Sequence, residues 1–204
     1  TEKAEAIVHV PKILYHWRVH KESTSDNPMS KMYAYEAGRR ALEEHLKRTS
    51  MSAAVQCMDN PGFYRVCYMP AETPKVTIVL LNVRDAGTLK RLARMTSRQA
   101  GYSNYEILVL LENPKKNKII LNFIKEHRQT PIKVVYCNSA CNKFVTFSSL
   151  AEKMDSDYLL FLDGRTGNIT RGFMDLFLGS AQRADIGAVG GRVYDDRRRL
   201  WYGI

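Results

Sequence analysis

From Val76 onward, short apolar runs alternate with segments of helical period. The runs "VTIVLL" (76–81), "EILVLL" (106–111), "IKVVY" (132–136), "DYLLFL" (157–162) and "IGAVGG" (186–191) read as buried strands. Between the first two lies "DAGTLKRLARMTSR", a helix with Asp85 as its cap and Leu89, Leu92 and Met95 or Thr96 on one face. A second helix is expected over 115–128, with Ile119, Ile120, Phe123 and Ile124 as its apolar stripe. A third carries Phe147, Leu150, Ala151 and Met154, and a fourth runs from Gly172 to Arg183. Strands apolar on both faces and separated by amphipathic helices predict an α/β fold, a mostly parallel sheet with helices on both faces and right-handed crossovers.

In such sheets ligands bind beyond the carboxyl ends of the strands, where loops and helix amino termini converge. The residues at those ends are Asn82, Glu112 with Asn113, Cys137 with Asn138, and Asp163.

The first 73 residues have a different rhythm. "NPMSKMYAYEAGRRALEEHLKR" (27–48) predicts a single helix, with Asn27 capping, Pro28 at the first helical position, and Met32, Tyr35, Leu42 and Leu46 as an apolar edge. "AVQC" and "FYRVCYM" flank "MDNPG", the pattern of a small hairpin.

The chain has 204 residues, 45% hydrophobic and 25% charged, the composition of a globular protein with one good core. Its net charge of +10 favours anionic partners such as nucleotides, nucleic acid or an acidic membrane face. "DDRRR" (195–199) is mixed in sign and reads as a turn rather than a nucleic-acid stripe. The four cysteines, Cys57, Cys67, Cys137 and Cys141, include no CxxC pair and read as reduced thiols. The apolar runs are too short for a membrane helix and the first residues lack the order of a secretory signal, so the expected location is cytoplasmic.

Few motifs carry chemistry. Gly87 stands alone in "AGTLKRL", so there is no glycine-rich phosphate loop, and GxSxG and HExxH are both absent. "LYHWRVH" gathers His16, Trp17, Arg18 and His20, for which a packed aromatic-basic segment is the simpler reading. Asp163 ends an apolar run in "DYLLFLDGRTGNIT". A carboxylate there can help hold Mg²⁺ or Mn²⁺, although Asp-Gly is also a common turn pair and the turn reading is the simpler one from position alone.

Five stretches taken together, "HVPKILYHWRVHKESTS", "SKMYAYEAGRRALEEHLKR", "YSNYEILVLLEN", "DYLLFLDGRT" and "AQRADIGAVGGRVYDD", resemble bacterial family-two glycosyltransferases of the GT-A fold. The closest resemblance is to the tandem, multi-domain type associated with surface polysaccharides. It implies that residues 1–26 are the tail of a preceding glycosyltransferase domain, 27–50 a linker helix, and 51–73 a hairpin or linker. Residues 74–204 are then the nucleotide-sugar-binding half of a following domain, cut before its acceptor half.

The resemblance implies transfer of a sugar from a nucleotide-sugar donor to a growing cell-surface polysaccharide. The glycan acceptor, neighbouring domains of the same polypeptide and an anionic membrane surface at the inner face of the cell membrane are the implied partners, with nucleic acid not favoured. It assigns nucleotide binding to Asn82, Glu112, Asn113 and Arg165, and a divalent metal, Mg²⁺ or Mn²⁺, to Asp163. The catalytic base is left unassigned.

Several positions depart from the family pattern. Arg84 stands where an acid is expected two places after Asn82, and the metal motif of successive acids reads Asp163, Gly164, Arg165. The implied alternatives are a metal held through Asp163, a diphosphate held directly by Arg165, or a catalytically inactive scaffold or carbohydrate-binding domain.

Overall fold

The computed structural model describes residues 4–16, 28–111, 117–126, 132–136, 148–149, 151–152 and 154–203. The chain divides into two compact units, Thr1–Thr49 with Val55–Val66, and Ser50–Ala54 with Cys67–Ile204.

In the first unit a 3-10 turn, Pro28–Lys31, leads into α1 (Met32–Arg48). Asn27 lies outside the described residues, and the α-helix itself begins later than expected, with Lys31 at its cap position and no side-chain cap bond. Of the expected apolar edge Leu46 is buried, Tyr35 and Leu42 are half-buried, and Met32 is 48% exposed. The expected hairpin is present as β1 (Ala53–Cys57) and β2 (Tyr64–Tyr68), a two-stranded sheet. Tyr64 reaches α1, its hydroxyl donating to the Tyr35 carbonyl at 2.6 Å.

The second unit holds a four-stranded parallel sheet of order β5-β4-β3-β6, built from β3 (Val76–Leu81), β4 (Tyr105–Leu111), β5 (Ile132–Tyr136) and β6 (Tyr158–Asp163). Alternate side chains enter two clusters. On one face Ile78, Leu80, Ile107 and Val109 pack with Leu89, Leu92 and Met95 of α2 (Ala86–Gln99), Ile120 of α3 (Lys118–Glu126), and Phe173, Met174 and Leu178 of α4 (Phe173–Ala181). On the other face Val79, Leu108 and Leu110 gather Leu81, Val135 and Met154. This two-sided burial is why β3 and β4 read as continuous apolar runs, whereas β6 is apolar in sequence but buries only Leu162 fully and leaves Phe161 46% exposed. Leu89 and Leu92 are fully buried, each stabilising the fold by about 1.5–3 kcal/mol.

The α2 expectation holds in detail. Asp85 accepts a bond from the Thr88 amide at 2.7 Å, and Leu89, Leu92, Met95 and Thr96 are all buried. The α3 stripe needs one correction: Ile119 is 76% exposed, while Leu121 packs against the core beside Phe123 and Ile124. Phe147 and Leu150 lie outside the described residues. Ser148, Ser149 and Ala151 are helical, as that expectation requires.

"IGAVGG" is not a strand. Residues 186–191 run as irregular, largely exposed chain, and three glycines in six positions give a strand little to pack and much entropy to lose. The chain instead forms a short antiparallel pair, β7 (Val193–Tyr194) and β8 (Leu200–Tyr202). "DDRRR" is the turn between them, with Asp195 accepting from the amides of Arg197 and Arg199 and paired with the Arg199 side chain at 2.7 Å.

Candidate functional site

The strand order places β3 between β4, which follows it in the chain, and β6, which comes from much later. The connections therefore diverge between β3 and β6, opening a crevice at their carboxyl ends. Leu81 and Asp163 are register partners there, so Asn82 and Asp163 emerge side by side.

Asn82 turns out of β3 in the left-handed region, φ 55°, which Asn tolerates better than most residues. Its Nδ2 donates to Asp163 Oδ2 at 2.6 Å. The two strand ends are also joined through the backbone, the Gly164 amide donating to the Leu81 carbonyl at 2.7 Å. A β-carbon at Gly164 would lie 2.4 Å from the Asn82 carbonyl oxygen, so this approach requires glycine.

Arg165 folds back onto the same carboxylate. Its amide and its Nε each donate to Asp163 Oδ1 at 2.8 Å, and Nη2 reaches Oδ2 at 3.3 Å, a side-on two-point pairing. The guanidinium also lies 5.8 Å from the centre of the Trp201 ring on β8. These bonds from Arg165, together with the Asn82 amide, hold the Asp163 carboxyl at a pKa of about 2, against a smaller opposing effect of burial. Asp163 is an anion whose lone pairs are already engaged.

The loop after Asp163 is fastened from α2. Arg91 donates to the carbonyls of Thr166 and Gly164, the latter at 2.5 Å, and the Thr166 amide bonds the Asp163 carbonyl at 2.9 Å. A cavity of about 340 Å³ opens beside it, lined by Asn82, Arg84, Thr88, Gly164 and Arg165. That size falls within the range of small-ligand pockets.

Of the sequence-predicted site residues, the structure thus brings together Asn82, Asp163 and Arg165, while Glu112 and Asn113 lie outside the described residues. It adds Arg84 and Thr88 to the lining and Arg91 as the fastening for the loop. Arg84 was visible in the sequence only as a basic residue in an acid's place, and Arg91 as one exposed cation among several on α2. The contact between Arg91 and Gly164 spans 73 positions, which no local pattern reports.

Among the described residues no three His, Cys, Asp or Glu side chains are grouped to hold a metal, and Asp163 is shared between a guanidinium and an amide.

The fold defined by this sheet matches that of a solved glycosyltransferase. The mannosyltransferase PcManGT from Pyrobaculum calidifontis, solved in complex with GDP-Man and Mn²⁺, superposes with a TM-score of 0.51 at 13% identity, over 83% of this chain and 47% of that one. In sequence the chain is 27% identical over 191 residues to the protein y4gI of Sinorhizobium fredii, and 27% identical over 190 residues to the O-antigen biosynthesis protein RfbC of Myxococcus xanthus. Those alignments take in 92% and 93% of this chain but only 21% and 15% of the two relatives, so the chain spans about a fifth or less of their length. No protein-family model matches. Fold and sequence together give the chain a glycosyltransferase-like relationship.

Proposed function

We propose that the second unit is the nucleotide-sugar-binding half of a GT-A glycosyltransferase, which in its full-length parent transfers a sugar to a growing bacterial surface polysaccharide. The observation that carries this reading is the cluster of Asn82, Asp163 and Arg165 at the divergence of β3 and β6, opening on a cavity that also holds Arg84. The fold shared with a mannosyltransferase and the sequence relationship to an O-antigen biosynthesis protein support it.

The chemistry follows from charge. A nucleotide-sugar leaves behind a diphosphate, and positive groups fixed where its charge develops lower the barrier to departure. Arg165 is aimed by Asp163 and Trp201, which leaves its remaining N–H donors for phosphate oxygens. Arg84 is exposed at the cavity wall and supplies a second cation. In this reading Asp163 is a positioning residue for Arg165, and Asn82 fixes Asp163. Nucleotide binding then needs no divalent metal.

The engagement of both Asp163 oxygens also favours a second reading, a catalytically inactive GT-A-like domain that keeps the crevice as a scaffold or carbohydrate-binding surface. Calorimetric titration of GDP, UDP and dTDP with and without Mn²⁺ separates the two. Metal-independent binding lost in Arg165→Ala supports the cationic donor site. Binding that appears only with Mn²⁺ shifts the weight to Asp163 as a ligand, and absence of binding under both conditions leaves the scaffold.

A further inference from the structure

Gly167 and Asn168 of the loop after Asp163 also wall a second cavity. It measures about 390 Å³ and is lined by Lys90, Arg91, Arg94 and Arg98 of α2, with Gln99, Gly167 and Asn168 among the other walls. Arg91 is committed to the loop carbonyls. Lys90, Arg94 and Arg98 are exposed, and among the described residues their side chains make no ion pair or hydrogen bond.

Three unneutralised cations on one helix face repel one another, so an anion that pairs with them gains what the folded chain leaves unmet. Their positions are i, i+4 and i+8, which sets them about 6 Å apart along the helix axis. A compact phosphate would meet one or two of them. A linear polymer with one charge per repeat, the repeat being about the length of a sugar residue, would meet all three.

The rest of the lining narrows the choice of polymer. Gln99 and Asn168 offer side-chain amides suited to hydroxyl groups, and Gly167 leaves the loop wall open, with nothing within 4 Å of the β-carbon position. Among the described residues the lining has no aromatic side chain on which a nucleobase could stack. Among them it also has no exposed apolar residue to enter a bilayer, since Met95 is buried.

We infer that this groove binds an anionic polysaccharide, one carboxylate or phosphodiester per repeat, along the Lys90, Arg94 and Arg98 row. The loop Gly164–Asn168 contributes Gly164 and Arg165 to the proposed donor cavity and Gly167 and Asn168 to the groove, so a glycan in the groove would contact the same loop that presents Arg165. The assignment of that glycan as the acceptor rests on the transferase reading; the affinity of the groove does not.

The test is a titration of the 204-residue chain with fluorescent oligogalacturonate, alongside a neutral dextran oligomer, oligo(dT) and phosphatidylglycerol vesicles. Oligogalacturonate is expected to bind and dextran not to. The combined Lys90→Gln, Arg94→Gln, Arg98→Gln variant should weaken that binding at least tenfold and leave GDP binding unchanged. A charge-matched variant elsewhere, Lys12→Gln, Arg40→Gln, Lys47→Gln, should change it less than twofold. Equal weakening in both variants, no binding of oligogalacturonate, or tighter binding of oligo(dT) or vesicles through the same three cations would each overturn the inference. Glycan binding without any nucleoside diphosphate binding would remove the transferase reading and keep the groove.

Discussion

Asn82 and Asp163 stand at the ends of neighbouring parallel strands with Nδ2 and Oδ2 2.6 Å apart, 81 positions from each other in the chain. The bond places a neutral amide where a second acid would create a pair of carboxylates. Asn82→Asp should therefore change the chemistry of the site more than its shape, since Asp tolerates the left-handed backbone of this position. Repulsion between the two carboxylates should lower the melting temperature in metal-free buffer. Added Mn²⁺ should raise it again in the variant and not in the parent, which a thermal-shift titration reads directly. Equal Mn²⁺ shifts in both proteins would count against an amide-for-acid exchange at the site.

The strand ends needed no special motif to be located. Two-sided burial marks β3 and β4 in the sequence because their side chains enter clusters on both faces of the sheet, while β6 feeds one cluster only, and Asp163 is legible as the polar residue that ends its apolar run. Which ends meet was not legible, since the pairing of β3 with β6 depends on tertiary order. "IGAVGG" shows the limit of the pattern, for an apolar run rich in glycine matched the strand template and formed none. Arg91 escaped notice for a different reason: an exposed arginine on a helix looks the same whether it faces water or a loop carbonyl.

Gly164 should not accept a side chain. A β-carbon 2.4 Å from a main-chain oxygen can be relieved only by parting β3 from the β6 loop, because the opposing atom is not the end of a flexible side chain. Gly164→Ala is expected to cost about 1–3 kcal/mol, in the range of overpacking substitutions, read as a lower denaturation midpoint with an unchanged slope. Gly167→Ala, with open space around it, serves as the comparison and should be close to neutral at a position of ordinary backbone geometry.

Cutting the fastening from α2 should affect binding through position rather than charge contact. Arg91→Ala releases the carbonyls of Gly164 and Thr166 and so loosens the loop that presents Arg165. Calorimetry should show GDP affinity reduced roughly tenfold, a difference of about 1.4 kcal/mol. Arg91→Lys keeps the charge but loses the two-carbonyl fork and should rescue little. Full rescue by lysine would mean that Arg91 acts only as a general positive charge.

The acid limb of stability should carry the signature of Asp163. Its folded pKa of about 2 lies below the ordinary value of 3.8, chiefly because of the bonds from Arg165. A depressed carboxylate contributes stability that is fully present above the unfolded pKa and is lost as pH falls through the folded one. The stability difference between the parent and Asp163→Asn should accordingly be constant from pH 8 to about 5 and shrink between pH 4 and 2. Denaturant titrations at each pH measure it, and a difference that stays constant to pH 2 would show that Asp163 is not held in this pairing. Asp85, Glu106, Asp185 and Asp195 are also shifted down by their own bonds and add acid sensitivity of the same sign, so the comparison must be made between variants.

Thr96 gives a prediction of the opposite direction. It is fully buried on the core face of α2, and among the described residues its hydroxyl oxygen has no hydrogen-bond partner. The hydroxyl therefore loses water on folding without replacement, at a cost that mutational data put at about 1–3 kcal/mol. Thr96→Val keeps the branched shape at Cβ and exchanges the hydroxyl for a methyl group that suits Leu92, Met95 and the apolar strands nearby. The variant should be more stable by up to about 1 kcal/mol, the methyl recovering only part of the penalty. In a chain of this size that raises the melting temperature by roughly 2–4 °C. A loss of stability in Thr96→Val would mean that the hydroxyl is bonded in solution, to a buried water or to a shifted main-chain carbonyl of α2.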